Sequence, residues 1–324
     1  MTAIVDKLLT QASAAYIPEG YACEKILPEV RVAQKSGKLA KYGTNHLRVE
    51  TNYIGGRGEY RRVEAITRSQ DTYTVEGHGI EGLVTKDDKV NLDSPYDAMR
   101  DEVIGLTTQL MIEKEKTLGD ALGDTATLTQ NTTLSGTAQW NDYSNSDPLG
   151  DASTARTTIQ DGCGRPPNAL IMSWQVWNQI RFSSKILDAL GYKYNRGGGL
   201  SHDELAVAFG VSKLIISEVM YESATEGQTS SLSPAFGKNA IFAVVPDRAA
   251  PYQVSLGYRI QQAGPRKVYK YAVNNPPEST AVLVEDSYDM FLSNVKAAYS
   301  VSYTHLRAHE TEAELVCRRL LEKK

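Results

Sequence analysis

The sequence predicts an α+β protein, because three patterns follow one another along its 324 residues. The first third alternates apolar and polar residues, which indicates half-buried strands. The middle holds one long run of apolar residues at helical spacing, and the last half mixes short apolar strands with helices. Helices do not regularly separate those last strands, so a mixed sheet is favoured over a doubly wound one.

Composition and charge exclude several classes of protein. With 41% hydrophobic and 23% charged residues, the chain can build one large domain or two of medium size. No apolar run approaches the ~18 residues of a membrane helix, and the N-terminus lacks the features of a signal peptide. A formal net charge of −4 gives no nucleic-acid footprint across the whole molecule. Cys23, Cys163 and Cys317 lie far apart without CxxC spacing, which indicates free thiols in a reducing cytoplasm.

Residues 1–36 predict an extended N-terminal arm. Ile4, Leu8 and Leu9 form one short amphipathic stretch, and two prolines interrupt the scattered apolar residues that follow. Such a segment has no core of its own, so we expect it to lie on another surface.

Residues 37–70 predict an extended loop built as a β-hairpin. The stretch TNYIGGRGEYRRVEA, residues 51–65, reads as two strands that meet at a turn of three glycines. It has too few apolar residues to be stable alone, because an isolated two-stranded ribbon is marginal in water. We therefore expect its tip to contact another protein surface, and the candidate interface residues are Tyr53, Ile54, Arg57, Glu59, Tyr60, Arg61 and Arg62.

The arginines of this tip admit three interpretations: contacts to nucleic acid, a solvated turn, or ion pairs across a protein interface. Glu59 and Glu64 interleave the arginines and weaken the attraction to phosphate, which favours the third. Ordering the arm and the hairpin costs roughly 1 to 2 kcal/mol per residue, and the rest of the chain is too compact to cover both. We expect other copies of the chain to supply the surface, in an obligate assembly.

Residues 94–118, within the segment 71–153, predict one long helix. Asp93 or Ser94 serves as its N-cap, and Pro95 stands in its first turn. At ~1.5 Å per residue this rod is roughly 35 Å long. Residues 123–152 are rich in Thr, Asn, Ser and Gly and predict loops or short strands.

Residues 154–300 predict an α/β domain. PNALIMS, residues 167–173, is a strand, and Ser173 caps the helix that follows. Ser201 and Glu204 form a capping box for another helix. The further strands are KLIISEVMY, KNAIFAVVP, YQVSLGYRI, KVYKYAV and the long segment that begins at STAVLVED.

Several motifs that suggest chemistry have simpler explanations. The GxGxxG match at residues 77–82 is not followed at once by a predicted helix, as phosphate binding would require, so it predicts a turn. Arg196–Gly199 predicts a flexible loop. His202 lies beside the capping box, where a helix start is a better explanation than a metal or acid–base site. Trp174 and Trp177 indicate core residues or a subunit contact. GxSxG, HExxH and GKS/T elements are absent from the sequence. We therefore assign no catalytic, cofactor-binding or metal residue and expect no enzyme activity.

The last 24 residues, 301–324, resemble the conceptual translation of a transposase-type sequencing-library adapter. Two other interpretations are a metal site at His305 and His309, which have helical spacing, and an amphipathic surface helix. The adapter is the more specific match, so we exclude the segment from fold prediction. We expect the native chain to end near Ser300.

The order of these parts resembles the major capsid proteins of tailed bacteriophages, which have the Hong Kong 97 phage shell fold. The residues that carry the resemblance are ILPEVRVAQKSGKLAKYG, the helix from Ser94 to Leu118, NALIMSWQVWNQI, LAVAFGVSKLIIS and FGKNAIFAVVP. The likeness covers residues 20–300. It implies an N-arm, an extended loop at residues 37–70, a peripheral domain at residues 71–153 with a spine helix at residues 94–118, and an axial domain at residues 154–300. Some family members crosslink a loop lysine to an asparagine, and none of Lys35, Lys38 and Lys41 can be matched to that role.

The resemblance implies a virion capsid protein that assembles in the host bacterial cytoplasm. Its copies would form hexamers and pentamers of an icosahedral shell, with the extended loop over a neighbour. The shell would enclose double-stranded DNA without sequence-specific binding, with a scaffolding protein and a portal as partners and no membrane. The alternatives are an encapsulin-like nanocompartment shell, a cytoplasmic α/β enzyme that uses the His202 region, and a nucleic-acid-binding module.

Overall fold

The computed structural model describes residues 4–16, 19–42, 49, 68–91, 97–191, 199–225, 227–249, 254–262, 264, 266–273 and 278–303. Its helices are α1 (Lys7–Ala15), α2 (Cys23–Ile26), α3 (Lys86–Asn91), α4 (Ala98–Gly123), α5 (Pro148–Cys163), α6 (Trp174–Ile180), α7 (Ser184–Ala189) and α8 (His202–Phe209).

The strands form two large sheets and two short ribbons. In chain order they are β1 (Ile4–Val5), β2 (Glu29–Val32), β3 (Ser36–Tyr42), β4 (Arg68–Thr74), β5 (Glu76–Thr85), β6 (Asn131–Leu134), β7 (Ala169–Ser173), β8 (Lys213–Ser217), β9 (Met220–Glu222), β10 (Leu232–Pro234), β11 (Ala240–Ala243), β12 (Tyr258–Gln262), β13 (Lys267–Val273), β14 (Ser279–Phe291) and β15 (Ala298–Tyr303).

The six-stranded sheet is built around β14, the longest strand. It runs in the order β1-β13-β14-β12-β2, and β5 also pairs with β14, antiparallel over ten residues from Ser279–Thr85 to Tyr288–Glu76. One face packs against α1 and α4, through a core that includes Val84, Val103, Leu110 and Val282. Strand alternation places Ile80 and Val84 of β5 and Val282 and Val284 of β14 in this core.

The five-stranded sheet is mixed, as the sequence predicts. Its order is β6-β15-β11-β7-β8, with β7 and β8 parallel, β6 and β15 parallel, and β11 antiparallel to both of its neighbours. Residues of β7 are buried on both faces: Leu170 and Met172 pack among α5 to α8, while Ala169 and Ile171 pack against α2 and the end of α4. This double burial explains the continuous apolar run ALIMS.

The long helix begins and ends later than the predicted residues 94–118. It spans 26 residues, and Asp97 is its N-cap, accepting from the backbone N–H of Met99 and Arg100 at 3.0 and 3.4 Å. Residues 92–96 lie outside the described part of the chain, so the expected cap at Asp93 or Ser94 does too. At its other end, Gly119 lies so close to Ala235 that a Cβ there would stand 2.5 Å from the Ala235 carbonyl oxygen.

The expectation that residues 1–36 lack a core within their own chain is wrong for the part from Ala22 to Val32. Ala22, Cys23, Ile26 and Leu27 are buried against α4 and the five-stranded sheet. β2 pairs in parallel with β12, and α1 packs on α4 and β13. The buried apolar residues of this segment are few, and they pack against α4 and the five-stranded sheet, which sequence periodicity does not reveal.

Three further expectations from the sequence need correction. The glycine motif at residues 77–82 is part of strand β5, not a turn, because all of its residues pair with β14. Residues 148–163 form helix α5, where loops were expected through residue 152; Asp147 caps it, Pro148 opens it and Gly164 ends it with a φ of +75°. The single helix expected after Ser173 is two short helices, α6 and α7.

The end of the described chain continues past the expected native end at Ser300. β15 extends to Tyr303, pairing Val301, Ser302 and Tyr303 with Thr132, Thr133 and Leu134 of β6. Residues 304–324, including His305, His309 and Cys317, lie outside the described residues. The division into domains at residues 36, 70, 153 and 300 remains a prediction.

Candidate assembly site

The residues predicted to contact other copies lie beyond the described part of the extended loop. The structure describes its stem, in which β3 and β4 pair antiparallel from Ser36–Thr74 to Tyr42–Arg68. The seven candidates, from Tyr53 to Arg62, fall among residues 43–67, which connect the two strands. The structure therefore does not test whether these candidates lie close together, and their role remains a prediction.

The base of the stem is fastened to the six-stranded sheet. Thr74 N–H donates to Asp289 Oδ2 at 2.9 Å, and Val75 N–H donates to the Lys35 carbonyl at 2.7 Å. Tyr73 and Val75 are buried against Ile260 and Phe291. The stem is therefore anchored to the six-stranded sheet at its base, and this anchoring fixes the direction in which the stem leaves the sheet.

A buried carboxylate joins α4 to the N-terminal segment and to the five-stranded sheet. Glu115 is fully buried and accepts hydrogen bonds from Ala22 N–H and Cys23 N–H, both at 2.9 Å, and from Ser217 Oγ at 2.8 Å. Burial raises the pKa of Glu115, while these three donors oppose that rise. The two N–H groups are the free ones at the start of α2, so Glu115 satisfies donors that the helix leaves unpaired.

The preceding residue of α4, Lys114, forms a buried ion pair with the six-stranded sheet. Lys114 Nζ lies 2.6 Å from Asp286 Oδ2, and both side chains are less than a tenth exposed. Gln261 donates to the other oxygen of Asp286 at 3.1 Å. The ammonium group also lies 4.2 Å from the ring centroid of Tyr288, whose ring stacks on His78. Two adjacent residues of one helix thus bind both sheets.

Arg259 of β12 completes the junction. Its guanidinium lies 2.8 Å from Glu24 and 3.5 Å from Glu29, and the side chain is 9% exposed. These contacts tie the N-terminal segment to the six-stranded sheet, alongside the β2–β12 pairing. A cavity of about 780 Å³ opens next to Arg259 and is lined by charges of both signs, among them Lys213 and Asp247. The charged side chains of this junction are paired with one another, which indicates that they hold the surrounding elements together.

Sequence reasoning missed this junction, although a signal for it exists. Lys114 and Glu115 lie near the end of the long helix predicted at residues 94–118. They occupy the helical face of Leu110, Met111 and Leu118, and a charged residue at an apolar position of a helix predicts a buried, partnered charge.

The His202 region has the structure of a helix start. Ser201 and Glu204 form the predicted capping box, and the His202 ring packs edge-on against Trp177, with 4.7 Å between centroids. Trp177 packs partly buried against the core, and Trp174 is 45% exposed. Within the described residues, no group of three or more His, Cys, Asp or Glu side chains is arranged to hold a metal ion.

The two cysteines that the structure describes do not form a reactive site. Cys23 and Cys163 are free and buried, and burial raises the pKa of Cys23 to about 12, which makes it a poor nucleophile.

Among the helices that the structure describes, none has both the length and the apolar character to cross a bilayer.

Comparison of the sequence with known proteins finds relatives that are major capsid proteins of phages. No protein-family model matches the chain. It is 22% identical over 268 residues to the major capsid protein of Burkholderia phage BcepMu, a match that covers 81% of this chain and 84% of that protein. It is 24% identical over 249 residues to the major capsid protein of Pseudomonas phage JBD67, with 76% and 78% covered.

Solved structures show the fold. A phage-related protein from Bordetella bronchiseptica RB50 matches with a TM-score of 0.72 at 22% identity, over 93% of this chain and 98% of that one. The mature capsid of bacteriophage PhiM1 matches with a TM-score of 0.53 at 13% identity, over 94% and 91%. The chain therefore has the mixed α and β fold of phage capsid shell proteins, and the fold class expected from the sequence is confirmed.

Proposed function

We propose that this chain is the major capsid protein of a tailed double-stranded DNA bacteriophage, and that its copies form the hexamers and pentamers of an icosahedral shell around the genome. The observation that carries the proposal is the agreement of two comparisons. Curated relatives called major capsid protein match more than three quarters of the chain, and a mature phage capsid matches its fold over 94% of its length.

The buried junction supports a structural role. The paired charges Lys114–Asp286 and Arg259–Glu24 and the carboxylate of Glu115 fix the spine helix to both sheets. The role is structural rather than catalytic.

The extended loop is the proposed link between copies. Its stem is fixed at the base, and its tip has few apolar residues of its own. Tyr53, Ile54 and Tyr60 would supply aromatic and apolar contacts to a neighbouring copy. Arg57, Glu59, Arg61 and Arg62 would form ion pairs across the interface.

Other partners follow from the same proposal. A scaffolding protein and a portal would take part in assembly in the host bacterial cytoplasm, and the finished capsid would be part of the virion. With a formal net charge of −4, the chain would enclose DNA through the closed shell rather than by reading its sequence.

Electron microscopy and light scattering of the purified chain test the proposal. We expect closed shells of megadalton mass, or the smaller capsomers from which such shells form. Particles filled with protein cargo and free of DNA in the native host would support the encapsulin-like alternative instead. A stable monomer or dimer at micromolar concentration would contradict both.

A further inference from the structure

One surface cavity of the structure is lined mainly by carboxamide side chains. It has a volume of about 250 Å³, a little below the ~300 Å³ at which sites for drug-sized ligands begin. Trp174 and Val176 line it, and none of the described residues around it carries a carboxylate. Its polar lining consists of five carboxamides and one ammonium group: Gln139, Asn141, Gln175, Asn178, Gln179 and Lys238.

Helix α6 supplies one wall of the cavity. Val176 and Ile180 lie one turn apart and are buried in the core, which fixes the rotation of this short helix about its axis. Residues four apart on a helix are neighbours on its surface. The two pairs of neighbours that line the cavity are Trp174 with Asn178 and Gln175 with Gln179.

The segment around Trp140 supplies a second wall. Trp140 is fully buried, and its indole N–H donates to a carboxylate of α5 at 2.8 Å, so the neighbouring residues Gln139 and Asn141 are held in place. Tyr143 Oη donates to Gln179 Oε1 at 2.7 Å and links this segment to α6. The cavity is therefore formed before a ligand arrives, which lowers the entropy cost of binding.

The cavity offers both an aromatic surface and hydrogen-bonding groups that have no partner within the protein. Trp174 is 45% exposed, although tryptophan is highly buried on average. Among the described residues, the side chains of Asn141, Gln175 and Asn178 have no hydrogen-bond partner. Each of these carboxamides can donate through its NH₂ group and accept through its oxygen.

We propose that this cavity binds one ring of a saccharide. The hydroxyl groups around a sugar ring both donate and accept, which matches a lining of carboxamides that do the same. The C–H groups of the ring form an apolar face that packs on an indole such as that of Trp174. The inference goes beyond the proposed function and does not depend on it.

The geometry favours a sugar over a nucleobase. The rings of Trp174 and Trp177 are 6.3 Å apart between centroids and tilted by 46°, so a flat base cannot be sandwiched between them. A base also presents its hydrogen-bonding groups only at its edge, whereas a sugar presents them in several directions, as the two walls of the cavity require.

The charge of the lining favours an acidic sugar over a neutral one. Lys238 is exposed and forms no ion pair with another described residue. With no carboxylate among the described lining residues, the ammonium group of Lys238 can pair with the carboxylate of a uronic acid. Because this pair would lie at the surface, its contribution to affinity is small.

Ligand binding to the full-length chain, in whatever assembly it forms, provides the first test. The probes are the methyl glycosides of glucose, galactose and mannose, measured by saturation-transfer NMR. At least one should bind with a Kd on the order of 1 mM, because a single sugar ring is a small ligand. The corresponding uronic acid glycoside should bind about threefold more tightly, and Lys238→Met should remove only that difference. Absence of binding by all of these glycosides would overturn the inference.

Substitutions in the cavity provide the second test. Trp174→Ala should raise the Kd of the bound glycoside at least about tenfold, whereas Trp174→Phe, which keeps an aromatic face, should stay within about threefold of the wild type. Asn178→Leu removes the hydrogen-bonding groups at similar size and should raise the Kd about three- to tenfold; it decides the matter if Trp174→Ala fails to fold. Val207→Ala is the control, because Val207 is 71% exposed on α8 and does not line the cavity; it should bind normally.

A polymer of the bound sugar distinguishes the two sources of such a ring. Binding of the glycoside alone identifies a free sugar as the ligand, and binding of both identifies a polysaccharide; each supports the inference. Tighter binding of adenosine than of any glycoside would overturn it. So would loss of shells in Trp174→Ala together with unchanged sugar binding, since Trp174 would then serve a contact between copies.

Discussion

Removing the ammonium group of the buried ion pair should destabilise the subunit strongly. Lys114 and Asp286 are 8% and 4% exposed and lie 2.6 Å apart. In Lys114→Met the methionine fills much of the space, and Asp286 keeps the hydrogen bond from Gln261 and the electrostatic attraction of Arg266 but loses its ion-pair partner. The variant therefore isolates the cost of a buried carboxylate that has lost its counter-ion.

The magnitude follows from the burial of both groups. Breaking a buried pair by removing one partner costs about 3 to 5 kcal/mol, and the contact of the ammonium group with the Tyr288 ring adds to the loss. Unfolding entropy is roughly 2.1 cal/mol/K per residue, so over the 251 described residues this lowers the melting temperature by roughly 6 to 9 °C. Replacing both partners removes the uncompensated charge, and Lys114→Met with Asp286→Leu should recover most of the stability.

Thermal unfolding of unassembled subunits, followed by circular dichroism, measures these values. A double-mutant cycle over Lys114→Met and Asp286→Leu should give a coupling free energy of about 2 kcal/mol or more. Lys116→Met is the control, because Lys116 pairs with Asp120 at the surface and such pairs contribute at most about 1 kcal/mol. A loss below about 1 kcal/mol in Lys114→Met, or additive single effects, would refute the role given to the pair.

Three further predictions concern the spine helix and the chain end. Gly119→Ala should lose about 1 to 3 kcal/mol in urea unfolding, because its Cβ would press on the Ala235 carbonyl, whereas Gly105→Ala should gain up to about 1 kcal/mol; equal effects would contradict this packing. Burial raises the pKa of Glu115 above its ordinary 4.5, so its protonated form favours the native state. The free energy of unfolding of the wild type relative to Glu115→Gln should therefore fall as pH rises from 4.5 through the folded-state pKa, and a flat difference would contradict the shift. Truncation after Tyr303 should leave the melting temperature unchanged, while truncation after Ser300 should lower it by removing three of the four residue pairs between β15 and β6; equal melting temperatures would show that this pairing adds nothing.

The elements that the sequence predicted well are those whose residues carry their own signal. The run ALIMS predicted β7 because a strand buried on both faces is apolar throughout. The capping box at Ser201 and Glu204 predicted the start of α8, because both hydrogen bonds form within four residues. The mixed character of the five-stranded sheet was expected because helices do not separate the strands of this half of the chain regularly.

The features that sequence reasoning missed depend on contacts far apart in the chain. Ala22 and Cys23 are buried because Glu115, more than ninety residues away, accepts from their backbone N–H groups. Glycines in a GxGxxG spacing suggested a turn, yet β5 is a strand because β14 supplies ten consecutive partners. Helix α5 did carry a local signal, Asp147–Pro148 at its start and Gly164 at its end, which its polar composition masked.

The proposal that residues 51–65 join copies of the chain is tested most directly by comparing the mass of the full-length protein with that of a variant lacking residues 52–62. Analytical ultracentrifugation of both, at the same micromolar concentration, should give megadalton particles for the full chain and small, folded species for the deletion. Closed shells of normal mass from the deletion variant would contradict the proposal.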